Sequence, residues 1–95
     1  MIRVTVNYPS GDGTTFDHDY YANSHVPLAV EAWGPVRTEI DKGVNGPYVA
    51  SVHFYFDSLE AFQGAMGSEK TAAVQADVTN YTNIAPILQV SEIVG

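Results

Sequence analysis

His25 carries the side chain whose ordinary pKa, near ~6.5, lets it take or give a proton at neutral pH. It lies in Phe16-Asp17-His18-Asp19-Tyr20-Tyr21-Ala22-Asn23-Ser24-His25-Val26-Pro27-Leu28, close behind two phenols. On a regular helix Tyr21 stands one turn before His25 on the same face, whereas Tyr20 is rotated away by about 100°, so the local helix geometry decides which phenol is the partner. Both tyrosines stay as candidates. In such a constellation His25 removes a proton from an activated carbon or phenol, and a tyrosine hydroxyl hydrogen-bonds the oxygen on which negative charge develops. Burial in a pocket depresses the imidazole pKa and favours its neutral, basic form. The plainer alternative is that His25 donates to a loose backbone carbonyl and the phenols fill the core.

That carbonyl is expected because Pro27 has no N–H and its ring crowds the chain four residues back. A helix starting at Asp17 is therefore predicted to kink near His25 and leave the Asn23 carbonyl unpartnered. Asp17 is a good N-cap, and Phe16 with Tyr21 suits a hydrophobic staple across it. Trp33 and Tyr81 are candidate walls for a flat apolar ligand. His53, on a strand, is a further ligand or proton group, and Asn83 a substrate contact unless it bonds its own turn. His18 belongs to the exposed first turn beside Asp17 and Asp19, and those two carboxylates point to different helix faces. The three histidines lack metal-ligand spacing and the chain has no cysteine, so no metal is expected. No glycine-rich nucleotide fingerprint or axial-ligand motif occurs, so no cofactor is expected either.

The elements that position these residues follow from periodicity. Ile2, Val4, Val6 and Tyr8 alternate with Arg3, Thr5 and Asn7 as in a half-buried strand, closed by Pro9-Ser10-Gly11-Asp12-Gly13. The first helix runs from Asp17 to Gly34-Pro35. Val36 to Lys42 reads as a charged edge strand, and Tyr48 to Phe56 as a central one with an apolar face of Ala50, Val52, Phe54 and Phe56. Asp57 or Ser58 caps a helix with Leu59, Phe62 and Met66 on one face, and Gly67-Ser68 breaks it before a weakly amphipathic stretch from Thr71 to Val78. Asn80 to Asn83 is a polar connection to a last strand over Ile84 to Val94, whose buried face the pattern leaves open. The order strand, helix, strand, strand, helix, strand predicts an α+β, ferredoxin-like βαββαβ sandwich. Its four-stranded antiparallel sheet carries two helices on one face.

At 95 residues and 45% hydrophobic, the chain is expected to be one domain, 1–95. A domain of this size buries only roughly 60 to 68% of its unfolded surface. The other sheet face, with Val49, His53 and Tyr55, reads as too apolar to leave entirely in water, so a homodimer with facing sheets is expected, its interface mixed polar and apolar with Thr5, Asn7, Ser51 and His53. A formal charge of -7 repels nucleic acid and anionic membranes. No stretch approaches the ~20 apolar residues of a membrane span. Met1 leads directly into a strand without the features of a secretion signal, which predicts a cytoplasmic location.

Phe16-Asp17, Tyr20-Tyr21, His25 and Pro27-Leu28 together resemble the signature of EthD-type proteins. Phe56-Asp57-Ser58-Leu59-Glu60-Ala61-Phe62 and the closing Tyr81-Thr82-Asn83-Ile84 before Pro86 extend the likeness over almost the whole chain. The resemblance implies a dimeric α+β barrel and chemistry on a small hydrophobic or aromatic molecule. Bacterial members are called EthD reductases from their association with ether degradation, a name that assigns no reaction, and fungal relatives act as dehydratases or decarboxylases on aromatic polyketides. Similar barrels include cofactor-free monooxygenases and isomerases, and some haem enzymes. The expected function is thus an oxidoreductase working by His/Tyr proton transfer without a tightly bound cofactor. The alternatives are a dehydratase, decarboxylase or isomerase of a phenolic substrate, a hydrophobic-ligand carrier, and an accessory dimer.

Overall fold

Strand alternation is realised over β1 (Ile2–Pro9), β2 (Arg37–Lys42), β3 (Tyr48–Phe56) and β4 (Ile87–Glu92) in a computed structural model that describes residues 1–95. The sheet order is β2-β3-β1-β4 and every neighbouring pair is antiparallel. β1 to β2 and β3 to β4 therefore each skip one strand, and each skip is bridged by helix. The first bridge comprises α1 (His18–Tyr20), a π-helical turn (Tyr21–His25) and α2 (Val26–Trp33). The second comprises α3 (Leu59–Met66), α4 (Thr71–Asp77) and a 3-10 turn (Val78–Asn80). This is the ferredoxin-like βαββαβ topology.

Register puts Val4 opposite Phe54 and Val90, Val6 opposite Val52 and Leu88, and Tyr8 opposite Ala50, so these residues share the sheet face that the helices cover. Val4, Tyr8, Ala50, Val52, Phe54 and Phe56 are buried there against Tyr21, Val26, Ala29 and Val74. Each such aliphatic or aromatic side chain contributes roughly 1.5–3 kcal/mol by leaving water. The molecule is only 19 Å through its thinnest dimension, which matches one sheet and one helix layer.

Local chemistry fixes the boundaries. The Asp17 carboxylate accepts from the Tyr20 amide, and the Phe16 and Tyr21 rings meet at 4.9 Å as the staple requires. Gly34 ends α2 at φ 59°, its amide returning to the Val30 carbonyl at 2.8 Å. Ser58, rather than Asp57, caps α3 through the Ala61 amide.

Three expectations are corrected or refined. The irregularity near His25 is a π turn: the backbone stays right-handed and widens, with the Val26 amide bonding the Tyr21 carbonyl five residues back. That extra residue absorbs the proline constraint. Leu59 is exposed rather than part of the α3 core face. The last strand is shorter than Ile84 to Val94: Thr82 and Asn83 bond the loop before α1, and the Ile84 amide turns back to the Thr82 hydroxyl at 3.0 Å. The uncovered sheet face is mixed polar and apolar, as its residues suggest. Tyr55 donates to Glu39 at 2.6 Å, His53 bridges Thr5 at 3.0 Å and Asp41 at 2.8 Å, and Ser51 donates to Asn7 at 2.7 Å. Arg37 pairs with Glu39 and lies over the Tyr55 ring.

Candidate active site

His25 reaches its position because the π turn rotates it under α4. There its Nδ1 lies 2.9 Å from Oδ2 of Asp77, while only 6% of the residue is exposed. A carboxylate can only accept, so Nδ1 carries the proton and the neutral ring presents Nε2 as a free base. Burial lowers the imidazole pKa below its ordinary 6.5, and the bond and charge of Asp77 only partly oppose this. For Asp77, burial acts to raise the carboxyl. Hydrogen bonds from Tyr20, Asn80 and His25 outweigh it and hold the group below its usual value.

Tyr20 and Tyr21 divide the partnership. The Tyr20 hydroxyl donates to Oδ1 of Asp77 at 2.7 Å, joined there by the Asn80 amide at 2.9 Å, and the bond to Asp77 raises its pKa. Tyr20 thus acts on the carboxylate behind the imidazole. Tyr21 stacks on His25 itself, with ring centroids 5.7 Å apart and planes 17° from parallel. Tyr81 closes the far side at 4.4 Å, its hydroxyl 2.7 Å from that of Tyr8. Burial pushes the Tyr8, Tyr21 and Tyr81 phenols upward, so all three keep their protons at neutral pH.

Between the helices and the sheet lies a cavity of about 240 Å³, with His25, Tyr8, Tyr21 and Trp33 on its walls and Val52 and Phe54 on its floor. Leu88, 57% exposed, stands at its β4 rim. Trp33 is oriented by a 2.9 Å bond from its indole nitrogen to Thr71 and an edge contact with Phe54. No lysine or arginine lines this space. Nowhere in the chain do three histidine, cysteine, aspartate or glutamate side chains come together as metal ligands would.

Of the residues singled out in the sequence, His25, Tyr21 and Trp33 share this cavity, with Tyr20 and Tyr81 packed behind His25. His53 is not brought to it: it belongs to the opposite sheet face. Asn83 is also held away, because its amide accepts from the Thr15 N–H and donates to the Gly13 carbonyl, both at 2.9 Å. That pairing has a structural consequence. With the Phe16–Thr82 bridge and the 2.8 Å bond from the Asp17 amide to the Tyr81 carbonyl, it ties the start of the first helical bridge to the end of the second. Asp77 and His25 meet as a result.

Asp77, Tyr8 and Asn80 are the residues that sequence reasoning missed. Tyr8 was readable as the last member of the alternating face of β1. Asp77 offered one signal, a lone carboxylate ending a run of small residues from Thr71.

An EthD domain model matches residues 13–85. The crystal structure of an EthD-like protein from Ralstonia eutropha is 39% identical, with a TM-score of 0.90 over 99% of this chain and 92% of that one. An ethyl tert-butyl ether degradation (EthD) family protein from Bacillus halodurans is 20% identical, with a TM-score of 0.78 over 99% of each chain. A putative antibiotic biosynthesis monooxygenase from Deinococcus radiodurans shares the fold at 11% identity, with a TM-score of 0.65 over 100% of this chain and 94% of that one. No curated protein matches. On the domain match and the 39% identical structure, this chain belongs to the EthD family.

Proposed function

We propose that this protein is an enzyme that deprotonates a small, uncharged, largely apolar molecule, with His25 as general base and Asp77 as the residue that orients it. The observation that carries the reading is the 2.9 Å bond from His25 Nδ1 to Asp77 beside an apolar cavity. It fixes the tautomer that leaves Nε2 basic, and desolvation keeps the ring neutral near pH 7. A buried imidazole serving only as packing has no need of a carboxylate that itself receives two further donors.

Proton removal opens several reactions. The resulting anion can pass electrons to an acceptor from solution, as an oxidoreductase of this fold would require, or expel a leaving group, lose carbon dioxide or take the proton back elsewhere. The Deinococcus fold neighbour's monooxygenase name is compatible with the first outcome, and the residues favour none of the others over it. The test is the rate at which carbon-acid substrates exchange hydrogen for deuterium in heavy water. Exchange should fall by about a hundredfold or more in His25→Gln. Unchanged exchange in a folded His25→Gln would refute the role.

We also propose that two copies pair through their open sheet faces. The slab is one helix layer thick, and Ser51, although on the uncovered face, is already mostly buried. Sedimentation of the purified chain as a monomer at micromolar concentration would contradict this pairing.

A further inference from the structure

One phenolic proton beside the cavity has no acceptor. Tyr8, Tyr21 and Tyr81 keep three phenolic protons, yet a single bond, the 2.7 Å contact between Tyr8 and Tyr81, joins them. The Tyr21 hydroxyl is sealed from water and makes no well-formed hydrogen bond, although it lies near enough to Tyr8 for each phenol to shift the other's titration, and the residue as a whole is 1% exposed. Leaving a buried donor unsatisfied costs roughly 1–3 kcal/mol, so a site that retains one is suited to receive an acceptor from outside the chain. Tyr8 and Tyr21 line the same cavity as His25, and no cationic side chain does.

We propose that the substrate is a neutral carbonyl compound whose oxygen is received by the Tyr8–Tyr21 hydroxyl pair, with the carbon next to the carbonyl presented to His25. The inference rests on the proton-transfer reading and adds the substrate class to it. A carbonyl oxygen is acceptor-only, which suits an unpartnered hydroxyl. A carboxylate would be buried without a counter-charge. Volume sets the size. A cavity of ~150 Å³ holds benzene, so the space here takes roughly ten non-hydrogen atoms, a bicyclic ketone rather than a long chain. In the step itself Nε2 of His25 takes the proton from the α-carbon. The C–H electron pair becomes the carbon–carbon double bond of an enolate, and the negative charge moves to the oxygen facing the phenols. Return of a proton from His25 restores the ketone, with no oxidant or reductant consumed.

The experiment compares β-tetralone with tetralin, the hydrocarbon of the same shape, by following the indole N–H resonance of Trp33, the only tryptophan, which lies on the cavity wall. The ketone should bind at least tenfold more tightly than the hydrocarbon. Tyr21→Phe and Tyr8→Phe should each shrink that preference while leaving tetralin binding unchanged. Equal binding of the two ligands to the parent protein overturns the proposal, as does a full ketone preference in both variants. Deuterium exchange at the α-carbon of β-tetralone, run alongside, separates the two claims. A ketone preference with exchange indifferent to His25→Gln refutes the base and keeps the carbonyl site. Exchange that depends on His25 without any ketone preference refutes the carbonyl site and keeps the base.

Discussion

At the scale of single residues the arrangement makes Asp77 a positioning group and His25 the group that meets substrate. Asp77→Asn keeps the shape of the carboxylate and removes its charge; with the amide oxygen held by the Tyr20 and Asn80 donors, its NH2 group faces Nδ1 and favours the opposite tautomer. Exchange activity should fall by about a hundredfold, with KM for the ketone little changed. Tyr20→Phe removes one of the donors on Asp77 and should cost about tenfold, since the imidazole bond survives. In the parent, activity should follow the base form of His25. It should be full at neutral pH and fall as pH drops through a value below 6.5, because burial, only partly opposed by Asp77, depresses the ring. The histidine and its tyrosines were legible in the sequence because their types and spacing sit within one element. Asp77 was not, because it lies 52 residues away and only the tertiary link between the two helical bridges brings it near. Which tyrosine partners His25 stays open in the sequence because the local helix geometry near Pro27 is not legible there; with the π turn Tyr21 stacks on the ring while Tyr20 reaches behind it to the carboxylate.

Element-scale features were the most readable, because each has a local cause. Asp17, Gly34 and Ser58 terminate helices by chemistry that acts within a few residues, and the alternating faces of β1 and β3 survive intact in the register. Ser58→Ala should destabilise the fold by about 1 kcal/mol in urea titration, the usual effect of losing a cap. Gly34→Ala forces a side chain into a left-handed conformation at φ 59° and should cost a similar ~1 kcal/mol. Gly43→Ala should be worse than either, because its methyl group would collide with the Tyr48 carbonyl oxygen in the β2–β3 connection, where backbone has no room to give. A Gly43→Ala variant as stable as the parent would show that this turn is not held as described. The extent of β4 was not legible: Ile84 looks strand-like in isolation. Its neighbours Thr82 and Asn83 are instead spent on the loop from Gly13 to Thr15, a long-range pairing that no local pattern announces.

For the whole molecule, burial of titratable groups sets the pH range of stability. His25 and Asp77 are both held below their ordinary values of 6.5 and 3.8. Their contribution is therefore complete above those values and is lost as pH falls through the lower folded ones. Tyr8, Tyr21 and Tyr81 are raised, so their contribution is complete below 10.0 and is lost as pH climbs beyond it. The melting temperature should accordingly be flat from about pH 6.5 to 10 and fall on both sides, with the upper part of the acid limb weakened in His25→Gln. No helix is long and apolar enough to cross a membrane. Topology was predictable from element order alone, whereas the polar network across the open sheet face was not, since it depends on which charges β2 aligns with His53 and Tyr55. The central claim, a neutral imidazole held by Asp77 with its other nitrogen free beside a ligand cavity, is most directly tested by nitrogen-detected NMR titration of His25. The Nδ1–H tautomer, a pKa below 6.5 and a change in the Nε2 resonance on adding β-tetralone are the predicted result; an Nε2–H tautomer titrating at 6.5 and indifferent to ligand would contradict it.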